Sequence, residues 1–297
     1  MMSVILSGNE IKKQILVELK DEVDHLIEKN IKPSLSVILA GGDPASEIYV
    51  SSKIRTCQEI GIQSVARKLP QSVSQQELLE VVGELNRDPS VHGILCQVPL
   101  PEQCQEEEVL EAIDPLKDVD CFHPFNVGLL ATGNPRFMPC TPYGILQILK
   151  RSGILTKGKN VVVLGRSNIV GRPLSILISQ KGWDATVTLC HSKTENIEEV
   201  CSRADILIAA IGISKFIKRE HVKKDAVIID VGMNRIIDPT HPKGKRLTGD
   251  VDFEAVKDKV SAITPVPGGV GPMTIAMLML NTINAARISN DLPLFQL

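Results

Sequence analysis

No apolar run in the chain approaches the ~18 residues of a membrane-spanning helix, so no span is expected. The opening, residues 1–8, has neither a charged leader with a cleavage pattern nor the Arg- and Ser-rich amphipathic character of a transit sequence. It is not expected to be a targeting segment, and a cytosolic address is the expectation. A large charge of one sign is also missing. With 33 basic and 35 acidic residues the formal net charge is -2, which argues against nucleic acid or an anionic membrane as the main partner. The seven cysteines (57, 96, 104, 121, 140, 190 and 201) are odd in number and form no C-x-x-C pair. That excludes a disulfide framework and the usual zinc patterns, leaving reduced, mostly packed thiols. Internal repeats and low-complexity tracts are absent.

What is present suits two ordinary domains: 297 residues, 43% of them hydrophobic, enough for packed cores. Helix and strand patterns alternate, the mark of an α/β fold. Ile11, Ile15, Leu19, Val23 and Leu26 recur at helical spacing and predict a helix over 8–28. Leu35–Ala40 and Val91–Val98 read as strands. Asp43 and Pro44 form a helix start. Asp114 to Gly133 reads as a long irregular stretch, of the kind that often carries function. Thr141 opens a helix through Lys150. Strands are expected over 160–164, 186–190, 206–210 and 227–231, and a final helix over 273–287. The expected organisation is an N-terminal α/β catalytic domain over 1–140 and a Rossmann-type, parallel-sheet dinucleotide-binding domain over 141–272. The C-terminal segment 273–297 is expected to return to the first domain.

The apolar strand Asn160–Leu164 runs into Gly165-Arg166-Ser167-Asn168-Ile169-Val170-Gly171. The common dinucleotide fingerprint is G-x-G-x-x-G. Here Ser167 replaces the second glycine, and the last falls one residue late. A tight turn followed by a helix N-terminus still offers N–H groups and a positive dipole to a pyrophosphate. An NAD site usually adds an acid about 20 residues on, for the ribose hydroxyl. The next strand ends instead in Cys190-His191-Ser192-Lys193-Thr194. Donors there, with Arg166, favour NADP over NAD.

In the first half, Tyr49 and Lys53 are one helical turn apart and share a stripe. By spacing alone Lys53 is a solvated charge; partly buried beside Tyr49 it would suit proton transfer. Gln97 ends a strand, where α/β sites gather, or simply finishes it. Asp118 with Asp120, and Cys121 with His123, are weak metal signals without a supporting ligand set. Thr264 to Thr274 is Gly- and Pro-rich, too apolar for a linker, and suits close approach of backbone to a flat ligand.

Together these segments resemble the methylenetetrahydrofolate dehydrogenase/methenyltetrahydrofolate cyclohydrolase family. The resemblance rests on Tyr49-Val50-x-x-Lys53, Gln97-Val98-Pro99-Leu100-Pro101, Lys117-Asp118-Val119-Asp120, Pro139-Cys140-Thr141-Pro142, Gly165-Arg166-Ser167-x-Ile169-Val170-Gly171, Asp230-Val231-Gly232-x-Asn234-Arg235, Gly249-Asp250-Val251 and Pro265 to Thr274, in family order across nearly the whole chain. It implies NADP-dependent oxidation of 5,10-methylenetetrahydrofolate to the methenyl cation, then hydrolysis to 10-formyltetrahydrofolate, in a cleft shared by the domains. This is one-carbon chemistry of the kind that feeds purine biosynthesis. It implies Lys53 as the proton-handling residue, Gln97 tuning it, Tyr49 packing on the folate and Asp120 bonding the pterin. Pro267, Gly268, Gly269, Val270 and Gly271 would line the substrate. Gly165, Arg166, Ser167 and Ser192 would hold NADP, with the Met233 backbone beside it. No metal is implied.

Two departures stand out: Cys121 where glycine is expected, and Val98 where leucine is usual. Lacking the extra synthetase domain and targeting sequence of other members, the chain resembles the short cytosolic bacterial type, typically a homodimer. Alternatives are a dehydrogenase whose cyclohydrolase step is weak or lost, a silent folate- or nucleotide-binding regulator, and a shikimate-type NADP dehydrogenase. Retention of Tyr49, Lys53 and Gln97 argues against the first two, and the folate-side motifs against the third.

Overall fold

A computed structural model describes residues 3–238 and 244–297, apart from the side chain of Ala45; Met1 and Met2 of the opening segment lie outside the described residues. The chain begins with β1 (Val4–Ile5), α1 (Gly8–Glu28), β2 (Ser34–Ala40), α2 (Pro44–Ile60), β3 (Gln63–Leu69), α3 (Gln75–Arg87) and β4 (Gly93–Cys96). Next come α4 (Glu106–Glu111), α5 (Pro124–Ala131), α6 (Cys140–Arg151), β5 (Asn160–Leu164), α7 (Gly171–Ser179), β6 (Thr186–Cys190), α8 (Ile197–Ser202) and β7 (Ile206–Ala209). Last are β8 (Val227–Asp230), β9 (Asn234–Ile237), β10 (Lys245–Thr248), α9 (Phe253–Val256), β11 (Ala262–Ile263) and α10 (Val270–Ile288). Two compact bodies result. Of the described residues, one holds 13–140 and 275–297, the other 3–12, 141–238 and 244–274.

The first body is built on a three-stranded parallel sheet of order β3-β2-β4. Every residue of central β2 is buried, which is why it reads as a continuous apolar run. Ile15, Leu19, Val23 and Leu26 of α1 are fully buried, each stabilising the core by roughly 1.5–3 kcal/mol. The α2 start is fixed by Asp43, whose carboxylate accepts from Ser46 N at 2.8 Å. It ends at Gly61 in the left-handed region, φ 87°, where glycine carries no Cβ penalty. The part of α10 in this body, from Ile275 to Ala286, is buried all round, and Met279 Sδ lies 3.5 Å from Cys57 Sγ.

The second body carries a six-stranded, wholly parallel sheet of order β1-β11-β8-β7-β5-β6. From β5 the chain passes to β6 on one side and then to β7 on the other, so a topological switch point lies between β5 and β7. Ligands of such sheets bind outside the carboxyl ends of the strands at that point. β9 and β10 form a separate antiparallel pair.

Three features differ from the sequence expectation. Residues 3–12 lie with the second body, because β1 adds to the sheet edge beside β11. The strand expected over 91–98 is confined to Gly93–Cys96. The stretch 114–133, expected to be irregular, contains α5. Pro124 suits the first helical turn, and His123 Nδ1 caps it by accepting from Phe125 N at 3.0 Å.

Candidate active site

In the first body α2 turns its apolar residues inward: Val50, Cys57 and Ile60 are buried. Tyr49 and Lys53 fall on the next stripe, both half-buried. Lys53 Nζ donates to Gln97 Oε1 at 2.9 Å. Gln97 sits just past β4, where its backbone N–H continues the ladder to Ile38 O at 2.9 Å. Its side-chain Nε2 donates to Val98 O at 2.7 Å. That bond sets the amide orientation and leaves the carbonyl oxygen to accept from the ammonium.

The loop after α4 is pinned beside β4 by Ile94 N donating to Lys117 O at 2.8 Å and by a bridge between Ile94 and Asp118. Lys117 Nζ is bound to Leu85 O and Asp88 O at 2.9 and 2.7 Å. Asp118 is buried. It accepts from Phe122 N, His123 N and Asn126 Nδ2 at 3.1, 2.9 and 2.8 Å, so its carboxylate organises the loop.

Asp120 has different neighbours. Burial pushes its carboxyl up to about 6; the Lys53 charge and the nearby Cys140 thiol oppose this, while the Asp118 charge adds to it. The structure thus gathers Lys53, Gln97 and Asp120, with Tyr49 one turn before Lys53. Cys140 joins them, a residue present in the sequence motifs but given no role. Cys121, where glycine is expected, has φ 61°. Its thiol donates to Phe137 O at 3.3 Å, an anchor set against the cost of a left-handed non-glycine residue.

In the second body Gly165 follows β5 with φ 116°. A Cβ there would lie 2.1 Å from Ala210 O, just past β7, and one at Gly171 would lie 1.8 Å from Gly165 O. Both glycines are therefore required by close backbone approach at the switch point. Ser167 does what a glycine could not. Its Oγ accepts from Val170 N at 3.2 Å and Gly171 N at 3.5 Å, shaping the entry to α7. Arg166, Ser167 and Ser192 are exposed. Gly165 N donates to Cys190 O at 3.0 Å, tying this turn to the end of β6 that leads to Ser192. A loop this tight, beside a helix N-terminus and with an exposed guanidinium, fits a dinucleotide phosphate.

Pro267 to Gly271 lead into α10. Gly268 has φ 100°, and its carbonyl accepts from Asn9 N at 3.1 Å. Gly8 and Gly269 approach so closely that a Cβ on Gly8 would lie 1.7 Å from Gly269 O. Met233, 45% exposed, neighbours Gly271: a Cβ there would be 3.9 Å from Met233 Cε.

Two buried carboxylates were present in the motifs but given no role. Asp230, ending β8, accepts from Gly232 N, Asp250 N and Val251 N at 3.0, 2.9 and 3.0 Å. Asp250 accepts from Ile211 N and Gly212 N at 2.7 and 2.9 Å and from Asn234 Nδ2 at 2.9 Å. Together they fasten the loops at the carboxyl ends of β7 and β8. Burial pushes Asp230 up to about 7, against three backbone donors that favour its charge. Asp-Val-Gly and Gly-Asp-Val are the only signal of this pair in the sequence.

Two family models match the chain, one in each half. A catalytic-domain model of tetrahydrofolate dehydrogenase/cyclohydrolase matches residues 6–120, and the NAD(P)-binding-domain model of the same enzymes matches 139–290. The chain is 53% identical over 289 residues to the bifunctional protein FolD of Acetivibrio thermocellus, covering 97% of this chain and 98% of that one. It is similar to the crystal structure of the bifunctional FolD methylenetetrahydrofolate dehydrogenase/cyclohydrolase from Campylobacter jejuni, with TM-score 0.91, 44% identity and coverage of 96% and 99%. The Trypanosoma brucei FolD, solved with NADP cofactor and inhibitor, gives TM-score 0.93, 38% identity and coverage of 98% and 99%. Matched in both halves and along its length, the chain belongs to the tetrahydrofolate dehydrogenase/cyclohydrolase family.

Proposed function

We propose that this protein is a bifunctional enzyme of one-carbon folate chemistry. It oxidises 5,10-methylenetetrahydrofolate to the 5,10-methenyl cation with NADP, then hydrolyses that cation to 10-formyltetrahydrofolate, both steps being reversible. The observation that carries this reading is the Lys53–Gln97 hydrogen bond of 2.9 Å, beside a carboxyl that feels the Lys53 charge. When bound, NADP+ supplies the hydride acceptor, at a step that asks for placement more than for a strong acid.

Water addition to the methenyl carbon releases a proton and needs an acceptor. Lys53 serves there as the neutral amine, its lone pair taking the proton while an N–H still donates to Gln97, and it returns the proton as the ring C–N bond opens. Tyr49 packs on the folate and steadies Lys53. Asp120 accepts hydrogen bonds from the pterin. Pro267, Gly268, Gly269, Val270 and Gly271 line the substrate with backbone and small side chains.

Gly165, Arg166, Ser167 and Ser192 hold the cofactor phosphates, and the Met233 backbone lies beside it. Two features support preference for NADP over NAD: the exposed Arg166 in the turn and the absence of an acid at the end of β6. We also propose, on the family resemblance, a cytoplasmic homodimer.

One assay tests the reading. Purified protein is given methylenetetrahydrofolate with NADP+ or NAD+, and reduced cofactor and the methenyl species are followed together. The expected result is reduced cofactor, faster with NADP+, without lasting methenyl species. No turnover with either cofactor would overturn it.

A further inference from the structure

Asn281 lies on α10, 2% exposed, outside every motif that marks the site. Its Nδ2 donates to Val119 O at 2.7 Å and to Met138 O at 2.8 Å, and lies 3.7 Å from Cys140 Sγ. An amide nitrogen has two hydrogens, and here each meets one of those carbonyls. Val119 immediately precedes Asp120, and Met138 stands two residues before Cys140. The Cys140 thiol donates to Val119 O at 3.5 Å and interacts with the Asp120 carboxyl beside it. A single buried amide therefore fastens both segments that meet at Asp120.

We infer that Asn281 is the positioning residue of the folate-side site: by clamping the Val119 and Met138 carbonyls it sets where the Asp120 carboxyl and the Cys140 thiol stand relative to Lys53. This rests on the proposed folate chemistry at Asp120. Leucine at this place has a similar volume but no donor, and would leave the Met138 carbonyl without the amide and the Val119 carbonyl with only the weak Cys140 thiol donor. Buried backbone acceptors are rarely left so, and the loops would shift to find others. The shift falls on Asp120, which directly follows Val119 in the same short loop and interacts with the Cys140 thiol. The asparagine thus acts through Asp120 and touches neither ligand itself.

A thermodynamic cycle separates this from a general structural role. Tetrahydrofolate and NADP+ are each titrated calorimetrically into the wild-type protein, Asn281→Leu, Asp120→Asn and the double variant. Asn281→Leu is expected to weaken tetrahydrofolate about ten-fold, the scale of one lost hydrogen bond, with NADP+ binding unchanged. In the Asp120→Asn background the same substitution is expected to cost nothing further. An equal loss in both backgrounds, an equal loss for NADP+, or no loss at all would overturn the inference. Should Asn281→Leu fail to fold, Asn281→Ser, which keeps one donor, runs the same cycle with the same outcomes. A wild-type protein that binds no tetrahydrofolate would instead overturn the functional reading on which the inference rests.

Discussion

Lys53 and Gln97 stand 44 positions apart in the chain and meet through a 2.9 Å hydrogen bond from Nζ to Oε1. The glutamine is not free to turn away, because its own Nε2 is bound to Val98 O at 2.7 Å. The pair is therefore a fixed element rather than a surface lysine with a passing partner. Gln97→Leu keeps the bulk and removes the acceptor. It is expected to lower methenyltetrahydrofolate hydrolysis by about ten- to a hundred-fold, within the range that proton transfer by a placed group contributes. Hydride transfer should fall much less. Steady-state rates of the two half-reactions, measured separately, check this; equal losses in both would show that Gln97 only supports the fold.

Arg166 is exposed in the turn after β5. If it meets a ribose 2′-phosphate, Arg166→Ala removes charge-assisted bonds worth about 1.5–3 kcal/mol. KM for NADP+ is expected to rise at least ten-fold while KM for NAD+ hardly moves. Equal changes for the two cofactors would remove the phosphate role.

Gly165 cannot accept a side chain without movement, since a Cβ would lie 2.1 Å from Ala210 O and φ is 116°. Gly165→Ala is expected to cost about 1–3 kcal/mol of stability and to abolish most dinucleotide-dependent turnover. Hydrolysis of supplied methenyltetrahydrofolate should persist, because Lys53 and Gln97 belong to the other body. A variant with wild-type dehydrogenase activity would contradict the reading of this turn as the phosphate loop.

Asp120 titrates at about 6 in the folded chain, against ~3.9 for an unperturbed aspartate. Between those values the folded state binds more protons than the unfolded state, so this group makes stability fall as pH rises from about 4 to about 6. Asp120→Asn should remove that part of the slope. Urea unfolding of both proteins across this range measures the difference; parallel curves would mean that Asp120 does not titrate as described. The same substitution should weaken folate binding above pH 6, where the carboxylate would otherwise accept hydrogen bonds.

Much of this site could be read from the chain. The β5 strand and the glycine turn were legible because an apolar run ends in residues that only a close backbone approach requires. The first helix was legible from its period, and the start of α2 from Asp43 and Pro44. Other parts depend on contacts that spacing does not encode. Lys53 alone looks like a solvated charge; its meaning comes from Gln97, which the parallel sheet brings to it. The helix α5 was hidden among Pro and Gly residues and is capped by His123, an unusual cap. Asp118 and Asp120 look like a pair in sequence, yet one holds three loop donors and the other faces Lys53 and Cys140. The glycine expected at Cys121 marks a left-handed position, and the structure keeps that conformation while adding a thiol anchor to Phe137 O.

The central claim is that one chain performs both steps, with Lys53 needed for the second. The most direct measurement follows NADPH and methenyltetrahydrofolate together during turnover of methylenetetrahydrofolate by Lys53→Met. The expected result is that NADPH still forms while the methenyl species accumulates. Hydrolysis at the wild-type rate, with no accumulation, would contradict it.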